Sequence, residues 1–339
     1  MRLIKTEDAV GHVLCHDMTQ IIKDQYKDAR FRKGHVVTEE DIPVLLSMGK
    51  EHLYVWEMTS GMVHENDAAE RLLALCGQEN MIRSGVKEGK IELKAACDGV
   101  FLVDSARLVA VNSQDEVRIA TRKGGMAVRE GDKLAGMRVI PLIIEEEKLR
   151  KAEQAAGDKP LLSLKPYVRK TACIVATGGE VKKGLIKDTF TPVVIDKLKT
   201  YGIETLEVVY SGDGVENVRD AVLTMREKKP DMILCTGGMS VDPDDNTPGG
   251  IKAAGANIIA YGAPVLPGAM FLLGYFDDGM PVMGLPGCVM YAGATVFDLV
   301  LPKIAADVPV TRADLAALGE GGLCLGCKPC YYPICPFGK

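Results

Sequence analysis

The sequence predicts an α/β protein. Its C-terminal part reads as a doubly wound, mostly parallel sheet, preceded by a small α/β lobe and a β-rich domain. Three observations carry this. The short apolar runs CIVA (173–176) and MILC (232–235) read as strands buried on both faces, as in parallel sheets covered by helices. Between them strand and helix alternate: helix over 190–201, strand over 204–209, helix over 215–228, the pattern of βαβ units with right-handed crossovers. Upstream, residues 90–147 hold short β-like runs separated by Gly, Asp, Ser and Asn turns.

The chain has 339 residues, room for two or three domains with sizeable cores. Its 41 Lys and Arg against 46 Asp and Glu leave a net charge of −5, so neither nucleic acid nor an acidic membrane is an expected partner. No run of 18 uninterrupted apolar residues occurs, and MRLIKTEDAV lacks the apolar centre of a signal peptide; a cytoplasmic location is expected. Of ten cysteines, those at 15, 76, 97, 173, 235 and 288 stand singly and read as reduced core thiols.

In chain order, residues 1–62 form the small lobe. Its helix begins at Thr38-Glu39-Glu40-Asp41, continues through Ile42, Leu45, Leu46 and Met48, and stops at Gly49. His12, His16, His35, His52 and His64 have no metal-ligand spacing and carry no functional reading. The β-rich domain, 63–165, opens with an amphipathic helix ending at Gly77, has strands at 91–93, 100–103, 108–111, 117–120 and 137–144, and closes with a charged connector helix over 145–157. A structural or dimerisation role is expected of it. The α/β domain, 166–310, adds strands at 257–259 and 281–283 and a helix over 290–301. That helix, opening directly after Leu285-Pro286-Gly287, would present free N–H groups to an anion.

Chemistry concentrates at two turns. Thr236-Gly237-Gly238 follows a buried strand, where glycines let backbone N–H groups approach an oxyanion. Ser240 and the hard oxygen donors Asp242, Asp244, Asp245 and Thr247 come next and suit Mg²⁺ beside a phosphate. Thr177-Gly178-Gly179 repeats the arrangement, with Glu180 and later Asp188. Two such turns at strand ends converge on one crevice in open α/β sheets.

The ordered set Thr177 to Glu180, Gly184, Asp188-Thr189, Asp213, Asp231, Thr236 to Ser240, Asp245 and Gly284-Leu285-Pro286-Gly287 resembles the molybdopterin-binding domain of MoeA/gephyrin-type molybdenum cofactor proteins. The resemblance spans 170–309. It implies a domain that binds the phosphate of the pterin dithiolene and, in transferase members, an Mg²⁺-dependent insertion of molybdate into adenylylated molybdopterin. On this reading Glu180, Asp188, Asp213 and Asp245 are the catalytic carboxylates, with Asp242 and Asp245 on the metal. Thr177, Gly178, Gly179, Thr236, Gly237, Gly238, Ser240, Pro286 and Gly287 hold the cofactor, and Gly237→Val is expected to block the ligand while leaving the fold intact.

Two departures matter. At 264–270 transferases carry lysines near their anionic substrate; here Leu266 and Ala269 stand there. After Gly287 comes Cys288, a core thiol or one facing the pterin. These changes weaken transferase chemistry more than binding, so three readings stay open: a transferase, a non-catalytic molybdopterin carrier, chaperone or sensor that docks on a molybdoenzyme, and a nucleotide pyrophosphatase of the competence-damage type. The resemblance also implies a homodimer.

The tail, 311–339, holds Cys324, Cys327, Cys330 and Cys335 as C-x2-C-x2-C-x4-C, followed by Pro336. Thiols this dense usually bind zinc or an iron–sulfur cluster, with a redox disulfide or no role as the alternatives. Metal binding is expected to order this tail, and Cys327→Ser to disorder it beyond about residue 320.

Overall fold

The computed structural model describes the chain apart from residues 1, 23–25, 56–60, 241, 243 and 244, and apart from the side chains of Tyr26 and Glu180. The chain divides into two compact units: 1–97 with 102–124 and 130–164, and 98–101 with 125–129 and 165–339. Among the described residues no helix is long and apolar enough to cross a membrane.

The first unit contains the small lobe, whose core gathers Leu14, Phe31, Leu45 and Leu53. Its helix, Asp41–Ser47, is preceded by Thr38, whose amide and hydroxyl both donate to Asp41. Beyond the lobe the strands Met81–Arg83, Ile91–Ala95, Lys133–Val139 and Val117–Thr121 pair in that order as an antiparallel sheet. The helices Glu65–Cys76 and Glu146–Ala156 lie where the sequence placed them. Two expectations fail here. Residues 108–111 are helical, within Ser105–Asn112, because Asp104 accepts from the Arg107 amide and caps a turn that outweighs the β-branched composition. The run 137–144 is broken: one strand ends at Val139 and another begins at Ile143.

The second unit is a six-stranded mixed sheet, numbered here within this unit: β1 (Thr171–Thr177), β2 (Glu204–Ser211), β3 (Met232–Thr236), β4 (Asn257–Tyr261), β5 (Leu272–Tyr275) and β6 (Pro281–Leu285). The spatial order is β2-β1-β3-β6-β5-β4. The strands β2, β1, β3 and β6 run parallel, while β5 is antiparallel to both β6 and β4. Strand β5 was not read from sequence. The sheet is doubly wound by α1 (Phe190–Lys199) and α4 (Val296–Ala305) on one face and α2 (Val215–Glu227) and α3 (Thr247–Ala253) on the other.

The buried runs explain this arrangement directly. Along β1, Ala172 and Ile174 enter one core and Cys173 and Val175 the other; along β3, Met232 and Leu234 alternate with Ile233 and Cys235 in the same way. Each fully buried aliphatic side chain contributes about 1.5–3 kcal/mol, so both faces need helical cover. Cys173 and Cys235 are core thiols as expected, and burial pushes the Cys235 pKa up to about 12. Asp231 clamps the strand entries: Oδ2 accepts from the amides of Lys170 (2.7 Å) and Thr171 (2.9 Å) and from the Thr171 hydroxyl (3.0 Å).

The helix expected over 290–301 begins only at Val296. Gly287–Met290 form a 3-10 turn, and Thr295 with Asp298 closes a capping box on α4. Both capping residues are buried, so the α4 N-terminus satisfies its own amides and offers none to an anion.

After α5 (Arg312–Ala317) the tail lies against the second unit through backbone and side-chain contacts. The Leu266 amide donates to Gly322 O and the Cys324 amide to Leu266 O, both at 2.8 Å. Phe337 is 2% exposed in the same core as Phe297, and the Tyr332 hydroxyl donates to Asp298 O at 2.9 Å.

Candidate functional site

Four neighbouring parallel strands end at one level. Thr177 of β1 pairs with Ser211 of β2, Ala176 with Thr236 of β3, and Thr236 with Leu285 of β6. Each end runs into glycine: Gly178-Gly179, Gly212-Asp213-Gly214, Gly237-Gly238 and Pro286-Gly287. The two Thr-Gly-Gly turns therefore sit side by side along the carboxyl edge, where an open sheet receives a ligand.

Hydroxyls knit the two turns together. Thr177 Oγ1 donates to Thr236 O at 2.9 Å and lies 3.1 Å from Thr247 Oγ1, which donates to Gly237 O at 2.9 Å. The Thr247 amide donates to Gly238 O. Thr247, only 1% exposed, is thus an internal brace, not the metal donor expected of it. Gly237 and Gly238 have φ of +83° and +58°, and a Cβ at Gly237 would fall 2.4 Å from Thr177 O. Gly237→Val consequently breaks the turn itself, contrary to the expectation that it spares the fold. At Gly287 a Cβ would meet nothing within 4 Å.

The carboxylates are largely engaged with backbone. Asp213 accepts from the Gly179 amide through both oxygens, at 3.2 and 3.1 Å. The Gly178 amide donates to Ser211 O, so both glycine amides of the first turn are spent within the chain. Asp188 Oδ1 accepts from the amides of Phe190 (2.9 Å) and Thr191 (3.0 Å), and Oδ2 from the Tyr210 hydroxyl (3.3 Å). Burial alone would raise the Asp188 pKa; hydrogen bonds from Thr191, Phe190 and Tyr210 outweigh it and hold the carboxyl below its ordinary value. Asp245 Oδ2 accepts from the Ser240 amide at 2.9 Å, and the Asp245 amide donates to Asp242 O. Asp242, Ser240, Asp213 and Gly287 are exposed, whereas Thr236 and Pro286 are buried. The Glu180 side chain and Asp244 lie outside the described residues.

Among the described residues no group of three or more His, Cys, Asp or Glu is placed to hold a metal ion. The loop carboxylates Asp242 and Asp245 therefore form no cage of their own. Mg²⁺ is commonly held by one or two carboxylates with substrate phosphates completing its shell, and Asp242 and Asp245 suit that smaller part.

Sequence reading missed three side chains here. Lys182, exposed, lies beside the Gly212 turn, with Nζ 3.8 Å from where a Cβ on Gly212 would sit. Tyr210 donates to Asp188, and Tyr261 donates to Met239 O at 2.9 Å. For Lys182 the signal was its place three residues past Gly179; nothing local marks the tyrosines.

Residues 173–306 match a family model described as "Probable molybdopterin binding domain", and residues 3–57 match a domain of unknown function. A CinA-like protein of Mycobacterium tuberculosis (strain ATCC 25177 / H37Ra) is 33% identical over 76 residues, 22% of this chain and 18% of that protein. One from Petrotoga mobilis is 32% identical over 76 residues, 22% of this chain and 19% of its own. The match thus spans under a fifth of these curated relatives. Among solved structures, the protein CinA of Thermoplasma acidophilum shares 18% identity, covering 40% of this chain and 98% of that one, with a TM-score of 0.34. A molybdenum cofactor biosynthesis protein of Pyrococcus furiosus shares 13% identity over 93% of this chain and 64% of that one, with a TM-score of 0.27. The family resemblance read from the glycine turns accordingly holds for the α/β sheet: residues 173–306 form a domain of the molybdopterin-binding family.

Proposed function

We propose that the crevice at the carboxyl ends of β1, β2, β3 and β6 binds molybdopterin and that the protein serves molybdenum cofactor biosynthesis in the cytoplasm. The observation that carries this is the level row of four glycine turns inside the matched domain. The dithiolene phosphate sits on the second turn, Gly237-Gly238, with Ser240 at its rim. Lys182 supplies positive charge on the β2 side, and a charge-assisted contact of this kind contributes about 1.5–3 kcal/mol. Asp242 and Asp245 share an Mg²⁺ with the ligand's phosphates; bound there, the ion offsets phosphate charge and acts as a Lewis acid.

Binding without molybdate insertion is the reading favoured here. Leu266 and Ala269 stand where transferases place lysines, and the backbone of Leu266 is taken up in pairing with the tail. A carrier that hands molybdopterin to a molybdoenzyme, as a homodimer, needs the cradle but not those lysines. Titration with molybdopterin and its adenylylated form, followed by a molybdate insertion assay with and without Mg²⁺, tests this. Tight binding without insertion is expected; Mg²⁺-dependent insertion at the rate of a standard transferase would overturn the carrier reading. A second reading, dinucleotide pyrophosphate hydrolysis, draws on the 33% identity to CinA-like proteins. It takes over if neither pterin binds and a dinucleotide is cleaved.

A further inference from the structure

Cys324, Cys327, Cys330 and Cys335 all line a single cavity of about 330 Å³ in the second unit, though they are spread over twelve residues of Gly- and Pro-rich chain. Both ends of that stretch are fixed. Cys324 hangs from Leu266 by a backbone hydrogen bond, and Phe337, two residues past Cys335, is buried in the sheet's core. Between them Cys327 and Cys330 are exposed while Cys324 and Cys335 are half-buried. Cys330 packs directly on the chain opposite: its Sγ lies 2.8 Å from where a Cβ on Gly293 would sit, so the thiol occupies space that only glycine leaves open.

The chemistry of the wall is selective. Among the described residues no carboxylate or imidazole lines the cavity, and Lys328 is the one charged side chain that does. A guest ligated by four thiolates carries net negative charge, which a single lysine partly offsets. The size is selective too. A lone zinc ion draws four sulfurs to about 2.3 Å of one point, whereas these four cysteines are set around a cavity of about 330 Å³. An iron–sulfur cluster binds each thiolate at a different position on a larger core, so thiols set around a cavity suit it. The run C-x2-C-x2-C-x4-C-P is also one residue longer than the bacterial ferredoxin run C-x2-C-x2-C-x3-C-P.

We propose that Cys324, Cys327, Cys330 and Cys335 hold an iron–sulfur cluster in this cavity, each thiol losing its proton as it ligates. This site stands apart from the proposed pterin crevice and does not depend on that assignment. The full chain is purified without oxygen and analysed for iron, zinc and acid-labile sulfide, and the dithionite-reduced protein is examined by electron paramagnetic resonance. Iron and sulfide in equal amounts, visible absorbance, and a paramagnetic signal on reduction are expected. Cys327→Ser and Cys330→Ser, both at exposed positions, lose most of the iron and sulfide while keeping the wild-type circular dichroism; Cys97→Ser, outside the tail, retains them. Zinc without sulfide overturns the proposal, as does protein holding neither metal with its tail thiols freely titratable. Full iron and sulfide retained in both tail variants overturns it equally.

Discussion

Replacing Thr247 by valine tests the brace between the two Thr-Gly-Gly turns. The swap nearly conserves volume at a position 1% exposed, so its effect comes from the hydroxyl alone. That hydroxyl donates to Gly237 O at 2.9 Å and touches Thr177 Oγ1 at 3.1 Å. Thr177 keeps its bond to Thr236 O, so the main loss is the hydroxyl partner of the half-buried Gly237 carbonyl, which costs about 1–3 kcal/mol. A central value of about 2 kcal/mol raises local opening about 30-fold. Hydrogen exchange reads this directly, as about 30-fold faster exchange at the turn amides around Gly238 with distant strands unchanged. Molybdopterin affinity falls with it, and Thr247→Ser, which keeps the hydroxyl, restores most of both. Wild-type exchange in the valine variant, or no rescue by serine, would refute the brace.

Gly287→Trp projects a side chain where nothing lies within 4 Å; pterin affinity should drop at least tenfold with the denaturation midpoint unmoved, measured by titration and by urea. Phe337→Ala empties a buried site in the main core and should cost about 3–5 kcal/mol, with protease cutting the tail faster. Asp231→Asn addresses pH. Burial alone would raise the Asp231 pKa, but hydrogen bonds from Lys170 and Thr171 outweigh it and hold the carboxyl below its ordinary 3.8. Its stabilisation is therefore complete above 3.8 and lost as pH falls through the lower folded value. Acid titrations followed by circular dichroism should show wild type losing more stability than the asparagine variant below about pH 4.

The sheet was legible because its signals are local. The unbroken apolar runs at 173–176 and 232–235 and the paired glycines after each are short-range facts, and strands buried on both faces point to the parallel pairing observed. Strand β5 escaped because LLGY shows no alternation and contains Gly274, and it earns its place only by pairing with β6 and β4. The helix after Gly287 was misplaced because apolar periodicity ran past Thr295, whose capping box with Asp298 sets the true start. The wiring of the site is long-range: Thr177 and Thr247 are 70 residues apart in sequence. No local pattern shows that a glycine's missing Cβ makes room for a threonine carbonyl. Likewise the four tail cysteines are plain in the sequence, but Gly293, against which Cys330 packs, is not.

The stretch from 287 to 294 has two neighbours at once. Its first residues form the turn that closes the β6 end of the crevice, and Tyr291 to Ala294 line the tail cavity. A guest at either end therefore borders one shared piece of backbone, and any coupling between the two sites obeys thermodynamic reciprocity. Whatever factor the cavity's guest imposes on pterin affinity, the pterin returns to the retention of that guest. Metal retention measured against pterin concentration and pterin affinity measured against metal content are two readings of one coupling constant.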